Sequence, residues 1–252
     1  MSQERITQEP ADLALAAQLQ LALLPRQAPA ALAHHVIAAR NRMCGAVGGD
    51  FYDFLTLNED QVALVIGDVV GHGVAAALMM AQIMGYLRSQ SGARARPREI
   101  IRGLNAMLLD LGERTGSVAP CSLFYAVLDS PSGVCFFVNA GHPRPLLMDR
   151  PRGALHHLGS HDLLLGVEPI EPEEMCHTFT AGQRLILYTD GLTDSASPKG
   201  EHYQVSRLRQ LAAGHGEDSP QALADAIFED VERFRAGSVQ QDDETVVVVD
   251  RV

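Results

Sequence analysis

Apolar residues recur along this chain with two periods, and the switches between them mark its elements. Alternating or continuous apolar runs of strand length fall at residues 35–43, 51–57 and 61–67. A helical spacing then takes over at 73–89, where Val74, Ala77, Leu78, Ala81 and Met84 share a face. A second helix spans 97–112, with Pro97 suited to its first turn and Ile100, Ile101, Leu104, Met107, Leu108 and Leu111 in register. Strands return at 122–128, 134–139, 145–148, 175–180 and 184–189. Ser219-Pro220 announces a helix to residue 234, and "ETVVVVD" closes the pattern as a strand. In the run 61–67, Val62, Leu64 and Ile66 alternate with Ala63, Val65 and Gly67, so both faces are apolar and both need covering. This predicts an α+β domain over residues 28–252, a sandwich of sheets flanked by helices, with loose loops at 116–119 and 214–219.

Upstream, "ADLALAAQLQLALLP" reads as a helix stopped by Pro25. Its polar residues, Asp12, Gln18 and Gln20, are too few for an ordinary surface helix. Residues 1–27 are therefore expected to form a helical extension with a regulatory or dimerising role. Residues 11–24 would be covered by the domain and by a second copy of the chain or an upstream regulator.

Composition narrows the function classes. Thirty-one acids against 20 bases give a net charge of −11, the wrong sign for a general nucleic-acid binder. Cys44, Cys121, Cys135 and Cys176 form no CxxC pair, which argues against a zinc site and suits a reducing compartment. The first residues, "MSQERITQEP", do not read as a signal peptide, and no apolar stretch reaches the ~20 residues of a membrane span. A cytoplasmic location, with no membrane partner, is expected.

The chemistry lies at strand ends. Residues 51–57 and 61–67 are arms of equal length around Asn58-Glu59-Asp60, so hairpin pairing brings Asp50 beside Asp68. Like charges so placed repel, and a cation between them converts repulsion into binding. The run "RLILY" ends at Thr189-Asp190, and the last strand follows Asp242-Asp243; antiparallel pairing would set Asp190 against one of those two acids. Each aspartate alone could be a turn residue bonding nearby amides. Two strand pairs ending in acids favour a hard-cation site for Mg²⁺ or Mn²⁺.

Five segments in order, "GGDFYD", "GDVVGHGVAAAL", "NAGHPRPLL", "LYTDGLTD" and "DDETVVVV", resemble the metal-dependent serine/threonine protein phosphatases, and most closely the bacterial SpoIIE-like sporulation and stress branch. They cover residues 48–249, and "QLQLALLP" resembles the helix preceding the domain in that branch. The resemblance implies a central β-sandwich of two mostly antiparallel sheets with helices on both outer faces and a site for two Mn²⁺ or Mg²⁺ ions. It makes Asp50, Asp68, Asp190 and Asp242 metal ligands and catalytic residues, with Asp68 bridging, and adds the carbonyl of Val69. Asp243 ranks below Asp242, and Asp53 is a candidate for bonding metal-held water or fixing the hairpin. The implied reaction is hydrolysis of a phosphoserine or phosphothreonine by metal-activated water. The implied substrate is a small regulatory phosphoprotein of the anti-sigma-factor-antagonist type, in partner-switching signalling.

The sequence departs from the eukaryotic relatives in one position: Val70 stands where they carry a histidine two residues after the bridging acid. His72 and His142 are read as loop-shaping residues, which leaves the general acid unassigned. Arg88, Arg94, Arg96, Arg98 and Arg102 are read first as a solvated face and second as a docking edge. Two other readings stay open: a non-catalytic binding module on the same fold, and a metal phosphohydrolase for small phosphoesters.

Overall fold

Strand pairing in the computed structural model, which describes residues 2–29, 32–90, 96–117, 120–159 and 162–252, resolves the apolar runs into two sheets. One contains β1 (His35–Arg42), β10 (Glu244–Arg251), β9 (Gln183–Tyr188), β6 (Leu146–Asp149) and β7 (Ala154–His157), in that order. The other runs β2 (Phe51–Thr56), β3 (Gln61–Val69), β4 (Cys121–Asp129), β5 (Val134–Ala140) and β8 (Met175–Thr178). Every pairing is antiparallel. Apolar side chains of both inner faces meet between the sheets, among them Leu185, Leu187, Val247 and Val249 from one and Leu64, Ile66, Phe124 and Phe137 from the other.

The outer faces are covered as their double-sided apolarity requires. Helices α2 (Val74–Ser89) and α3 (Pro97–Thr115) lie on the β3–β4–β5 side through Met80, Ile83, Met84, Leu87, Ile101 and Leu104. On the other sheet α5 (Gln204–Gly214) and α6 (Pro220–Arg235) bury Leu208, Leu223, Ile227 and Val231 against Ile186, Val246 and Val248. The expected α+β sandwich with helices on both sides is what forms.

Four details differ from the sequence reading. Helix α1 (Ser2–Leu23) begins well upstream of the apolar pattern and carries Pro10 inside it, although it stops before Pro25 as expected. Strand β7 and helix α5 are additional elements, and α4 (Asp190–Asp194) turns the chain sharply at the end of β9. Val118 and Ala119 of the expected loop at 116–119, and Arg94 of the arginine group, lie outside the described residues.

Candidate metal centre

The hairpin register decides where the first two acids stand. Phe51 pairs with Gly67, which sets Asp50, one residue beyond, opposite Asp68. Their carboxyl groups interact directly. In the other sheet Tyr188 pairs with Val246 and the amide of Thr189 reaches the carbonyl of Thr245 at 3.1 Å. The chain then leaves the sheet: Asp190 opens α4, and Asp242 approaches it from the segment before β10, close enough to act on Asp190, and both act on Asp68. The expectation of Asp190 facing Asp242 or Asp243 is thus met by Asp242.

Asp50 is buried, and two threonine hydroxyls hold one of its oxygens. Thr189 Oγ1 donates to Asp50 Oδ2 at 2.8 Å and Thr245 Oγ1 donates to the same atom at 2.6 Å. Thr245 Oγ1 in turn accepts from Asn41 Nδ2 at 2.8 Å, and the amide of Thr245 donates to Thr189 Oγ1 at 2.9 Å. The chain Asn41–Thr245–Asp50 orients a carboxylate from behind, as second-layer hydrogen bonds do for metal ligands. Neither threonine is singled out by the sequence reading, although both stand inside the segments "LYTDGLTD" and "DDETVVVV", each beside an acid.

Asp243 has a different task. Its carboxylate accepts the amides of Cys44 at 2.8 Å, Gly49 at 2.7 Å and Asp50 at 3.4 Å, pinning the loop that leads into β2. The approach is so close that a Cβ on Gly48 would lie 1.8 Å from Asp243 Oδ2, and one on Gly191 2.0 Å from the carbonyl of Asp243. Only glycine fits at either place. Asp53 likewise points away from the acids, accepting Arg88 Nε at 2.7 Å. Arg102 is spent on Glu171 at 2.5 Å, so two members of the arginine group are paired internally.

Electrostatics set the remaining acids apart. Burial first, and the charge of Asp68 second, raise the Asp50 pKa well above the carboxylate range despite the two hydroxyl donors. Asp68 is pushed up to about 7 by burial and then by Asp190, Asp242 and Asp243. Asp190 and Asp242 sit at the exposed rim, and both are raised, by loss of water within the cleft walls and by neighbouring acids. Like charges dominate here, and the nearby positive candidate, His72, lies exposed beside Asp242.

A hard divalent cation fits this donor chemistry: oxygen donors, surplus negative charge, and the Val69 carbonyl, which would lie 2.5 Å from a Cβ on Gly49. Among the described residues no three acids, histidines or cysteines close to a tight ligand cage. Mg²⁺ tolerates that openness, because it keeps several waters and uses few protein ligands.

The acids border a cleft of about 940 Å³ lined by Asp68, Val70, Ser122, His142, Arg144, Leu163, Tyr188 and Asp190, among others. His142 is buried, with Nδ1 2.8 Å from Ser122 Oγ and its amide on Asn139 Oδ1 at 2.9 Å. Burial lowers its pKa to about 3, so it is a neutral loop-fixing residue at physiological pH. No helix among the described residues is long and apolar enough to cross a membrane.

Residues 58–252 match the model of the family described as Stage II sporulation protein E. The protein IcfG of Synechocystis is 31% identical over 237 residues, covering 82% of this chain and 36% of its own length. The phosphoserine phosphatase RsbP of Bacillus subtilis is 28% identical over 207 residues, or 81% of this chain and 49% of RsbP. This chain therefore spans only a third to a half of these relatives. Among solved structures, the RsbU and RsbW domains of Rv1364c from Mycobacterium tuberculosis superpose with a TM-score of 0.71 at 27% identity, covering 86% of this chain and 60% of that one. The SiaA-PP2C domain of Pseudomonas aeruginosa superposes over the whole of both chains with a TM-score of 0.80 at 22% identity, a likeness of fold. With its sandwich, its paired strand-end acids and this match over most of its length, the chain belongs to the family described as Stage II sporulation protein E.

Proposed function

We propose that residues 28–252 form a metal-dependent protein phosphatase that hydrolyses phosphoserine or phosphothreonine in a small regulatory phosphoprotein, of the anti-sigma-factor-antagonist type. The observation that carries this reading is the set Asp50, Asp68, Asp190 and Asp242 at one end of the sandwich, whose pKa values are all raised, by burial first and by neighbouring acids second. Asp50, Asp68, Asp190, Asp242 and the Val69 carbonyl would hold two Mn²⁺ or Mg²⁺ ions. Bound there, such ions supply an activated water and neutralise phosphoryl charge during in-line attack. The protein's own part is to fix those ligands: Thr189 and Thr245 orient Asp50, and Asp243 fixes the loop carrying it. The name of RsbP, a phosphoserine phosphatase, supports phosphoserine as the group hydrolysed.

The same proposal assigns control to α1. Gln20 is buried; its Nε2 donates to the Gly48 carbonyl at 2.6 Å, and its Oε1 accepts the Gly48 amide at 3.1 Å, two residues before Asp50. Arg88, paired with Asp53, also donates to the carbonyl of Leu23. Leu13, Leu15, Leu19 and Leu21 remain exposed on α1, a face available to a second copy or an upstream regulator. Displacing α1 would release the Gly48 loop and so change metal affinity.

Hydrolysis of a chromogenic aryl phosphate with and without Mn²⁺, in wild type and Asp68→Asn, tests the reading. Metal-dependent turnover lost in the variant is expected. A folded wild type that binds no Mn²⁺ and turns nothing over would instead favour the non-catalytic binding module. Faster turnover of nucleotides than of phosphopeptides would favour a small-phosphoester enzyme. Truncation of residues 1–25 should shift the Mn²⁺ concentration giving half-maximal rate, and unaltered kinetics and oligomeric state would exclude the role given to α1.

A further inference from the structure

One arginine lines the cleft, Arg144, and among the described residues its guanidinium has no carboxylate at ion-pair distance. Asp162, also in the lining, accepts the amide of Glu173 at 2.8 Å. By contrast Arg40, Arg42, Arg150, Arg184 and Arg207 all pair with acids of this chain. In a chain of net charge −11, an unspent arginine in the cleft beside the metal centre calls for a partner from outside.

The backbone presents this residue firmly. Arg144 lies between Pro143 and Pro145 in the loop that crosses from β5 in one sheet to β6 in the other. Each proline fixes its own φ, and each holds the residue before it extended, so His142 and Arg144 are both constrained. The carbonyl of Arg144 accepts from His157 Nδ1 at 3.3 Å, tying the loop to β7. An immobilised backbone leaves less entropy to lose when the guanidinium takes a ligand.

Its place in the cleft says which part of a substrate it meets. The charge of Arg144 acts on His157 and on Tyr188, whereas the leading influences on Asp68, Asp190 and Asp242 come from burial, other acids and His72. Arg144 shares the lining of the cleft with Asp68 and Asp190. The same cleft offers apolar lining from Val70, Leu163 and Val205, with Val70 and Leu163 exposed. A volume of about 940 Å³ holds several side chains, far more than a phosphoryl group alone.

We propose that Arg144 is a specificity-determining residue that receives an acidic side chain flanking the phosphoserine of the substrate, through a guanidinium–carboxylate pair. The inference rests on the phosphatase reading above. A carboxylate matches the planar fork of arginine with two parallel hydrogen bonds, and in a half-enclosed cleft such a pair discriminates strongly against a lysine.

Two phosphoserine peptides, identical except for Glu or Lys at the positions flanking the phosphoserine, test it. Their kcat/KM values are measured with Mn²⁺ for wild type, Arg144→Ala and Arg144→Glu, each divided by that variant's kcat/KM on an aryl phosphate. Wild type is expected to prefer the Glu peptide by about 10-fold, Arg144→Ala to lose the preference and Arg144→Glu to invert it. An equal Glu-to-Lys ratio in all three proteins overturns the proposal. So does an equal loss on the aryl phosphate and both peptides, which would put the guanidinium on the phosphoryl group. Absence of aryl phosphate hydrolysis by metal-loaded wild type would overturn the phosphatase reading itself, and this inference with it.

Discussion

Strand β10 carries acids of two kinds. Within it, Glu244 and Asp250 are both buried and both answered by arginine. Glu244 meets Arg42 at 2.5 Å and Arg235 at 2.9 Å, and Asp250 meets Arg184 at 2.6 Å and Arg150 at 3.0 Å. Just before the strand, Asp242 joins Asp68 and Asp190, and what surrounds these is chiefly more acid. The first kind has its counter-charge built in and ties β10 to β1, α6 and the β6–β9 side. The second kind lacks one, so folding brings together charges that only an added cation can satisfy. The difference separates acids that hold the fold from acids proposed to hold a ligand.

The largest effect expected from this contrast is on activity. Asp190→Asn should lower the Mn²⁺-dependent kcat/KM on an aryl phosphate by about 10³-fold or more, the equivalent of the several kcal/mol of charge stabilisation a metal ion supplies. The same variant should unfold at a urea concentration no lower than wild type without metal, because it removes repulsion. A clear drop in the metal-free midpoint would move Asp190 into the structural class. Arg184→Leu should do the reverse. It leaves the buried Asp250 carboxylate to Arg150 alone and frees the carbonyls of His215 and Asp218, for a loss of about 3 kcal/mol in equilibrium unfolding. Its folded fraction should keep the metal dependence of wild type.

The pH dependence of stability has opposite sign in the two classes. Asp230, bonded by Arg207, Tyr203 and Arg233, has its pKa lowered, so its contribution is present at neutral pH and fades as pH falls through that lowered value. Asp68 is raised to about 7 from an ordinary 3.8. Between those values the folded chain holds a proton the unfolded chain has released, so stability falls as pH rises, by at most about 1.4 kcal/mol per pH unit for one group. In EDTA, the urea midpoint of wild type relative to Asp68→Asn should therefore decline from pH 5 to pH 8, and divalent metal should abolish the decline. Subtracting the variant cancels the buried His35 and His142, whose lowered pKa values push the other way on acidification. A flat difference curve would mean that neither burial nor the neighbouring acids raise Asp68.

Much of this contrast is legible in the sequence. Equal hairpin arms placed Asp50 against Asp68, and double-sided apolar strands required a covered sandwich, because period and arm length are local properties. The identity of Asp243 as a loop clamp was not legible, since its partners Cys44, Gly49 and Asp50 lie some 190 residues away in sequence and are backbone amides. Nor was Gln20, which looked like one of the few polar residues of an apolar helix and turned out to be buried against Gly48. Helix α5 escaped although Val205, Leu208, Leu211 and Ala212 keep helical spacing; the flanking Gly, Ser and Pro residues read as loop. The arginine group looked like one surface because its members are neighbours in sequence, whereas Arg88 and Arg102 each find a tertiary acid.

Asp50 falls between the two classes, and it yields the smallest of the expected effects. It is buried like Glu244 and Asp250, yet its donors are the neutral hydroxyls of Thr189 and Thr245 instead of arginines. Hydroxyls orient a carboxylate without cancelling its charge, so the residue stays available to a cation while being held as rigidly as a structural acid. Thr245→Val preserves shape, removes one of the two donors and leaves Asn41 Nδ2 without its acceptor. Loss of such an outer hydrogen bond costs roughly 10–100-fold in metal affinity or activity. If the hydroxyl works by orienting Asp50, the Mn²⁺ concentration for half-maximal rate should rise by that factor while the rate at saturating Mn²⁺ changes less. Thr245→Ser, which keeps the donor, should restore most of the affinity. A saturating rate that falls with unchanged Mn²⁺ dependence would mean instead that Thr245 acts on the chemical step, and that Asp50 needs no help in binding the ion.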